Sequence, residues 1–547
     1  MPTEPSPRRF SLPRPVLPHS LLNLIVASYI MVALNGGFWS RLADQFPAPP
    51  LKAGLFGLAV WALTFLLLEL LGPGRAQKPV AAALIMVAAS AHYYEQSFGI
   101  LIDREVMRAI FETTLTESGH MVTPDMILTI GLTGVLPAAL VFWPRVRRVG
   151  PWHQLWRWPL GVVMPALLCI AVLFSFYKDY SAMLRERHDL MGAYQPGAAL
   201  SASVRYAREE WKSADPVAAP VGRDAAAGPL LAAAEKPVLL VLYVGETARA
   251  ANFGLDGYAR DTTPELRKRD VINFTDVTSC GTSTAVSVPC MFSPLAKADY
   301  SHTGFLSHEN LLDVLDHAGV KTLWADNNTG DQRVAARTGW NRVDATLTPE
   351  ACTRECTDEV FLPLIRKTAA EMTGNTVLVL HMIGSHGPAY HLRYPEGSAT
   401  FTPDCQTSQF SDCTGEQIVN AYDNSIMETD RVLSASIDLL AGQERVIPAL
   451  LYVSDHGESL GENGLYLHAA PDFMAPPEQT RVPMVLWLSA PFRAAMGLDA
   501  GCMAQVARQP ASHDNYFHTV LGLMDIQTGA RDAALDLTAT CRKKDLT

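Results

Sequence analysis

The sequence predicts an α-helical transmembrane domain of five spans, followed by an exported α/β domain with a mostly parallel central sheet. Five long apolar runs lie in the first third of the 547-residue chain. The remainder alternates short runs rich in Val, Leu and Ile with amphipathic stretches of helical period. Nearly all cysteines follow the last long run, which indicates that the second part lies in an oxidising compartment.

The five apolar runs are each long enough, or nearly so, to cross a bilayer. They cover residues 17–39, 51–71, 79–100, 124–142 and 156–176. Because four similar runs follow the first, the first is not a cleavable signal peptide. Basic residues flank alternate ends of the runs, namely Arg8, Arg9, Arg14, Arg75, Lys78, Arg145, Arg147 and Arg148. Since basic loops prefer the cytoplasm, we expect the N-terminus inside and everything after run five outside, which in a bacterium is the periplasm.

The remaining organisation follows from composition. Residues 177–211 are charged and predicted to be helical, and residues 216–237 are rich in Ala, Pro and Gly, which indicates a linker. The predicted domains are therefore a transmembrane domain over 1–176, a juxtamembrane helix and linker over 177–236, and the exported domain over 237–547. The net charge of −11 argues against a nucleic-acid partner.

Eight of the nine cysteines lie beyond the last apolar run, and only Cys169 lies within it. An even number of exported cysteines predicts disulfides. Short spacings favour the pairs Cys280–Cys290, Cys352–Cys356 and Cys405–Cys413, which leaves Cys502 with Cys541. The spacing of Cys352 and Cys356 also suits metal thiolates, but no second matching pair accompanies them, so a disulfide is favoured.

The exported domain shows a repeating pattern of strands and helices. Predicted central strands cover residues 238–244, 320–324, 376–382 and 446–453, and predicted helices cover 311–318, 358–372 and 417–440. This alternation indicates a parallel sheet covered on both faces. The carboxyl ends of parallel strands meet at one edge, where residues far apart in sequence can form a site.

Polar motifs follow these strands. Glu246 comes just after the first strand, and S-D-H-G-E-S-L-G-E-N-G at residues 454–464 follows the last one. Glu246, Asp455 and His456 offer the oxygen and nitrogen ligands of a partly open zinc site. Magnesium is disfavoured because it seldom binds histidine. An Asp-His pair at a strand end is often only a loop cap, so the prediction depends on Glu246 meeting that pair.

Hydroxyl and imidazole groups complete the candidate site. Thr282, Ser283 and Thr284 lie in a short segment bracketed by Cys280 and Cys290, and a divalent metal would lower the pKa of such a hydroxyl. Ser/Thr clusters also cap helices, and that alternative stays open on the residues alone. Further candidates to protonate a leaving group, hold a phosphate or bind a second metal are His381, His386, Glu458 and His468.

These motifs resemble those of the phosphoethanolamine–lipid A transferases, the family that includes the mobile colistin-resistance enzymes. The similarity covers nearly the whole chain and is carried by C-G-T-S-T-A-V-S-V-P-C-M-F-S, H-G-P-A-Y, the S-D-H-G-E motif and H-D-N-Y-F-H-T-V-L-G-L. It implies an alkaline-phosphatase/sulfatase-like periplasmic catalytic domain on the inner membrane of a Gram-negative bacterium. It also supports the three close cysteine pairs.

Carried over residue by residue, the resemblance implies Zn²⁺ ligands Glu246, Asp455 and His456, with Thr284 as both ligand and nucleophile. His386 and His468 match positions that bind the phosphoryl group or a further zinc. Family members often carry Asn-x-x-x-Thr-x-x-x-Glu on one periplasmic helical face, which here is Ala109, Thr113 and Glu117. Some relatives have a substrate-contacting lysine where this chain has Gln332, with Arg333 beside it. The expected substrate-binding residues are Thr113, Glu117, Asn328, Arg333, His381 and Glu458.

The resemblance implies a membrane-embedded enzyme, expected to be a monomer, that confers polymyxin resistance. Phosphatidylethanolamine would donate phosphoethanolamine to Thr284, and a phosphate of lipid A would then accept it. Transfer to another surface glycan, and a related activity such as that of a phosphoglycerol transferase or a sulfatase, stay open. A non-catalytic lipid sensor is disfavoured because it would be expected to lose a ligand or the nucleophile, and none is lost.

Overall fold

The computed structural model describes residues 14–46, 50–147, 151–213, 216–343, 346 and 348–543. The chain divides into two compact units. The helical unit comprises Met1–Asp103 and Pro124–Val204, and the α/β unit comprises Arg104–Thr123 and Arg205–Thr547. Arg8, Arg9 and Arg148, which contribute to the predicted orientation, lie outside the described residues.

The helical unit consists of helices joined by short connections, and the later helices carry many charged residues. In chain order these are α1 (His19–Ala33), α2 (Gly36–Gln45), α3 (Pro50–Leu71), α4 (Gln77–Phe98), α7 (Pro124–Ile130), a π-helical turn (Gly131–Val135), α8 (Leu136–Leu140), α9 (Pro151–Ser175), α10 (Tyr177–Glu186), α11 (His188–Gly192) and α12 (Gly197–Lys212), of which α12 continues into the α/β unit. Helices α5 (Arg104–Glu112) and α6 (Leu115–Met121) belong to the α/β unit.

Two helices in the described part of the chain are long and apolar enough to cross a membrane, namely α3 and residues Trp158–Ser175 of α9. Two bent pairs, α1 with α2 and α6 with Pro124–Leu140, raise the number to as many as four. The third predicted span forms α4, which has 22 residues but includes polar side chains such as Lys78, His92 and Glu95. The predicted count of five spans is therefore not confirmed.

The α/β unit is built on a seven-stranded sheet. Its strands are β1 (Val238–Gly245), β2 (Val271–Phe274), β3 (Lys321–Asp326), β4 (Trp340–Arg342), β5 (Thr376–His381), β6 (Ile447–Ser454) and β7 (Met484–Leu488), in the order β2-β7-β6-β1-β5-β3-β4. Every residue of β1, β5 and β6 is buried, because helices cover both faces of the sheet. The four strands predicted from apolar runs are β1, β3, β5 and β6.

The sheet is mixed, so the expectation of a mostly parallel sheet is not confirmed in full. Strand β7 runs antiparallel to both of its neighbours, β6 and β2, whereas the other four pairings are parallel. Strands β2 and β4 were not predicted, since they have only four and three residues, and β2 is mostly half-buried while β4 is exposed. Strand β7 was also not predicted, although its buried run of five apolar residues could have identified it as a strand.

Helices pack around this sheet. They are α13 (Pro229–Ala232), α14 (Thr284–Phe292), α15 (His302–Leu306), α16 (Leu311–His317), α17 (Phe361–Glu371), α18 (Gly415–Ala441), α19 (Pro477–Thr480), α20 (Ala490–Ala495), α21 (Ala500–Val506) and α22 (Asp514–Leu523). The predicted helices correspond to α16, α17 and α18. The predicted linker contains α13 and the two-residue strand Ala226–Ala227, which pairs with Ile526–Gln527.

All four predicted disulfides are present, namely Cys280–Cys290, Cys352–Cys356, Cys405–Cys413 and Cys502–Cys541. Cys169 is free. The Cys280–Cys290 bridge ties the segment that precedes α14 to a residue inside that helix, so it restrains the helix's N-terminus.

Candidate active site

The ends of two neighbouring strands deliver the candidate metal ligands. Strands β1 and β6 pair in parallel up to Gly245 and Ser454. Glu246 and the Asp455–His456 pair therefore leave the sheet side by side. All three side chains are fully buried, and His456 Nε2 lies 3.4 Å from both Glu246 Oε1 and Asp455 Oδ2. The three ligand atoms all lie within 4.8 Å of one another.

This cluster fits a divalent cation. Asp455 Oδ2 is buried and has no hydrogen-bond partner among the described residues. Burial and the adjacent Glu246 charge raise the pKa of Asp455, as expected when two carboxylates share a dry site. His456 Nδ1 lies 2.9 Å from the Gly457 carbonyl oxygen, which turns Nε2 toward the carboxylates. Two carboxylates and one imidazole are a donor set that suits zinc.

Thr284 is the hydroxyl that meets the cluster. It is the first residue of α14, and its Oγ1 donates a hydrogen bond to Glu246 Oε2 at 3.1 Å and lies 3.4 Å from His456 Nε2. The N-terminus of a helix also favours negative charge on a bound phosphoryl group. Thr282 points elsewhere, since its hydroxyl donates to the Ala470 carbonyl at 2.8 Å.

Asn328 and His381 support Glu246. Asn328 Nδ2 donates to Glu246 Oε2 at 2.6 Å and lies 3.4 Å from His381 Nε2. His381 ends β5, is fully buried, and its Nδ1 lies 2.8 Å from Asp326 Oδ1. The structure therefore places His381 behind Glu246, where it orients Asn328, rather than on an open surface.

His386 and His468 extend the site away from the ligands. The ring centroids of His456 and His468 are 4.6 Å apart, and those of His468 and His386 are 5.4 Å apart. His386 Nε2 lies 3.0 Å from Glu117 Oε1 on α6. Burial alone would lower the pKa of His386, but the Glu117 carboxylate outweighs it and raises that pKa to about 9. His386 therefore carries a proton at neutral pH.

Glu458 holds His468 in place. Its Oε2 lies 3.1 Å from His468 Nδ1, and its Oε1 accepts a hydrogen bond from the Tyr390 hydroxyl at 3.0 Å. Glu458 is fully buried, so this contact fixes the imidazole. Tyr390 was missed in the sequence, although it ends the H-G-P-A-Y motif.

Thr113 and Arg333 form no hydrogen bond or ion pair with this group in the described structure. Helix α5 ends at Glu112, and α6 starts at Leu115 after a cap in which Thr114 accepts from the Glu117 backbone N–H. The expected helical face through Ala109, Thr113 and Glu117 is therefore broken, and Thr113 donates to the Ala109 carbonyl. Arg333 is exposed and has a positive φ of 66°. Its charge acts on Glu112. Burial raises the pKa of Glu112 to about 7, although the positive charges of Arg108 and Arg333 act to lower it.

A cavity of 320 Å³ opens beside His386, Glu117 and Asn328. Its wall includes residues that sequence analysis did not single out, namely Thr114, Thr116, His120, Arg342, Arg354, Glu355 and Arg393. Glu355 accepts from Arg393 Nη1 at 2.7 Å and lies 2.6 Å from His120 Nε2 on α6. Pairing between such distant charges leaves no periodic signal in the sequence.

The apolar helices, the α/β fold and the buried ligand cluster define a membrane-associated enzyme with a sulfatase-family domain. Residues 239–526 match the sulfatase family model, and residues 60–211 match the model described as phosphoethanolamine transferase EptA/EptB. Phosphoethanolamine transferase EptA of Escherichia coli K12 is 37% identical over 543 residues, which cover 97% of this chain and 98% of that protein. The chain belongs to the phosphoethanolamine transferase family, as its motifs predicted.

Two further relatives agree with this assignment. Phosphatidylethanolamine transferase Mcr-1 of Escherichia coli is 33% identical over 538 residues, which cover 94% of this chain and 96% of that protein. The solved integral membrane protein lipooligosaccharide phosphoethanolamine transferase A from Neisseria meningitidis superposes with a TM-score of 0.92 at 33% identity. That match covers 97% of this chain and all of the other.

Proposed function

We propose that this enzyme transfers phosphoethanolamine from phosphatidylethanolamine to a phosphate of lipid A through a covalent intermediate on Thr284. The observation that carries the proposal is the position of the Thr284 hydroxyl, 3.1 Å from Glu246 Oε2 and 3.4 Å from His456 Nε2 at a helix N-terminus. Glu246, Asp455, His456 and Thr284 would hold Zn²⁺. When bound, the ion supplies positive charge that stabilises oxyanions on the nucleophile and the phosphoryl group.

The residues of the chain account for the proton movements of the first step. The Thr284 oxygen bonds to phosphorus and loses its proton, for which the Glu246 carboxylate is the nearest acceptor. The bond to diacylglycerol breaks, and its oxygen takes up a proton. His386 supplies that proton, because Glu117 keeps it charged at neutral pH. Phosphoethanolamine then remains on Thr284.

The second step returns Thr284 to its free form. An oxygen of the acceptor phosphate bonds to phosphorus as the bond to the Thr284 oxygen breaks, and Thr284 recovers a proton. Glu117 lines the cavity beside His386 and attracts the ethanolamine ammonium in both steps. Glu458 orients His468, which can replace His386 as the donor.

The names of the relatives support the choice of lipids. Mcr-1 is named for phosphatidylethanolamine and the Neisseria protein for lipooligosaccharide. Masking a negative phosphate of lipid A weakens the attraction of cationic polymyxins, which would give resistance. The basic residues of the first domain and the four disulfides support an inner-membrane protein with domains at 1–176, 177–236 and 237–547, the last in the periplasm. We propose that it acts as a monomer.

The test uses the full chain in detergent micelles with phosphatidylethanolamine labelled in its ethanolamine. We expect label on wild-type protein and none on Thr284→Ala, at an unchanged melting temperature. Thr282→Ala is the matched control and should retain the label, since Thr282 bonds to Ala470 and not to the cluster. Label on Thr284→Ala, or labelling by phosphatidylglycerol instead, would overturn the proposal. Mass spectrometry of lipid A from cells with and without the chain identifies the acceptor.

A further inference from the structure

We propose that Arg342 and Arg354, on the wall of the 320 Å³ cavity, bind the phosphate of the acceptor glycolipid and hold it beside Thr284. This inference rests on the proposed function and deepens it by assigning the acceptor's binding residues. The class of ligand is a phosphate monoester on a lipid-linked sugar.

The cavity wall has an excess of positively charged side chains, although the chain as a whole is acidic. The whole sequence has a net charge of −11, yet the cavity wall holds three arginines against two glutamates, in addition to two histidines. Such a local excess of positive charge in a concave site attracts anions. The charge pattern therefore predicts an anionic ligand.

Both glutamates of the cavity wall already form ion pairs with basic residues of the wall. Glu355 accepts from Arg393 at 2.7 Å and pairs with His120 at 2.6 Å. Glu117 pairs with His386 at 3.0 Å. These contacts use both glutamates of the cavity wall, so the wall has no carboxylate left for its remaining arginines.

Arg342 and Arg354 remain available. The Nη2 of Arg354 donates to the His391 carbonyl oxygen at 3.1 Å, and no carboxylate in the described part of the chain lies within ion-pair distance of it. Arg342 ends β4, is half exposed, and lies 3.4 Å from Asp326 Oδ2, whose other oxygen already contacts His381. Each guanidinium therefore keeps donors free to bind a phosphate in a fork-like geometry.

One residue of the cavity wall, Asn328, connects the cavity to the reactive threonine through Glu246. Asn328 donates to the same Glu246 oxygen that accepts from Thr284. His386 also lines the cavity, is 5% exposed, and its Nδ1 has no hydrogen-bond partner among the described residues. The volume suits a phosphate with part of a sugar and is too small for a whole glycolipid. The lipid chains must therefore lie outside the cavity.

Charge also explains why the acceptor needs these arginines more than the donor does. In the second step an anionic phosphate approaches a threonine that already carries a phosphodiester, and the two repel each other. Neutralising the incoming phosphate removes that barrier as the new P–O bond forms and the bond to the Thr284 oxygen breaks. The donor carries an ammonium that Arg342 and Arg354 repel and Glu117 attracts.

The experiment measures binding in the full chain carrying Thr284→Ala, in detergent micelles, so that no chemistry is needed. The probes are diphosphoryl lipid A, the same lipid without phosphates, and phosphatidylethanolamine. Arg342→Gln with Arg354→Gln should raise the Kd for diphosphoryl lipid A about tenfold or more. The other two probes should change less than twofold. Arg366→Gln, an exposed arginine of α17 outside the cavity wall, is the matched control.

A second readout separates the two steps in protein with an intact Thr284. Diacylglycerol release without acceptor should stay within twofold of wild type in the double variant, while the KM for lipid A rises about tenfold. If Arg342→Gln unfolds the protein through the loss of its Asp326 contact, Arg354→Gln alone carries the test. Unchanged lipid A binding in a folded variant refutes the assignment, and so does an equal loss of phosphatidylethanolamine binding. Absence of label on wild-type Thr284 would instead refute the proposed function.

Discussion

Replacing Glu355 by Gln should destabilise the α/β unit and weaken the attachment of α6. Burial acts to raise the pKa of Glu355, but His120 and Arg393 outweigh burial, and the net effect lowers this pKa from 4.5 to about 2. At about 1.4 kcal/mol for each tenfold change in proton affinity, this corresponds to roughly 3 kcal/mol. The side chain is 20% exposed, so screening reduces the expected loss to about 2 kcal/mol. The loss also leaves the buried Arg393 without its carboxylate.

The stabilisation that Glu355 provides should decrease as the pH falls. Because the folded-state pKa lies below the unfolded one, the stabilisation by Glu355 is complete above about pH 5 and disappears as the pH falls toward 2. Thermal melts of the full chain should therefore show a gap between wild type and Glu355→Gln at pH 6 that narrows on acidification. Glu350→Gln, an exposed neighbour outside the Cys352–Cys356 loop, is the control. Equal melting temperatures at pH 6, or a gap that widens in acid, would refute the reasoning.

The same substitution has a functional consequence through α6. His120 and Glu117 lie on that helix, and Glu355 contacts His120 while Glu117 contacts His386. Loosening the first contact should displace the second, so diacylglycerol release should fall about tenfold or more, as geometry errors near 1 Å do. An unchanged release rate would show that the Glu117–His386 contact alone docks the helix.

Two further predictions concern the metal cluster and the disulfides. Adding zinc to chelated wild-type protein should raise its stability by about 2.7 kcal/mol at one hundred times the Kd, and Asp455→Asn should abolish most of that gain. In chelated protein Asp455→Asn should be neutral or stabilising, because it relieves the repulsion from Glu246. Removing the Cys280–Cys290 disulfide should cost about 3 kcal/mol and also slow labelling of Thr284. Removing Cys502–Cys541, which closes a longer loop, should cost about 4 kcal/mol and leave labelling intact.

The zinc prediction and the disulfide prediction can each be contradicted by one measurement. A zinc response that persists in Asp455→Asn, measured by melting and by metal content, would remove Asp455 from the ligand set. Equal effects of the two disulfides on labelling, once both variants are compared below their melting temperatures, would show that the Cys280–Cys290 bridge acts only on stability.

Parts of the fold were predictable because their signal is local. Strands β1, β5 and β6 are buried on both faces, so their sequences are continuous apolar runs. Strands β2 and β4 are short and poorly buried, and their pairing depends on neighbours far away in sequence. The antiparallel direction of β7 could not be predicted for a similar reason, since a five-residue apolar run does not indicate in which direction the strand will pair.

The candidate site divides in the same way. Glu246, Asp455 and His456 were predictable because each follows a recognisable strand within two residues, and parallel pairing brings strand ends together. The network of Glu355, Arg393 and His120 was not, because charged residues are common and only folding selects which of them meet. Tyr390 was hidden for a similar reason, since its partner Glu458 lies 68 positions away.

The sequence by itself determined which side chains could bind a metal, which cysteines pair at short spacing, and to which family the motifs belong. These properties depend on residue type and on neighbours within a few positions. Only the tertiary structure decided that α6 packs within the α/β unit, that the Thr282 hydroxyl bonds to Ala470, and that Arg342 and Arg354 share a cavity with Glu117. Those contacts join segments that lie tens to hundreds of residues apart, and the packing of the sheet and its helices alone brings them together.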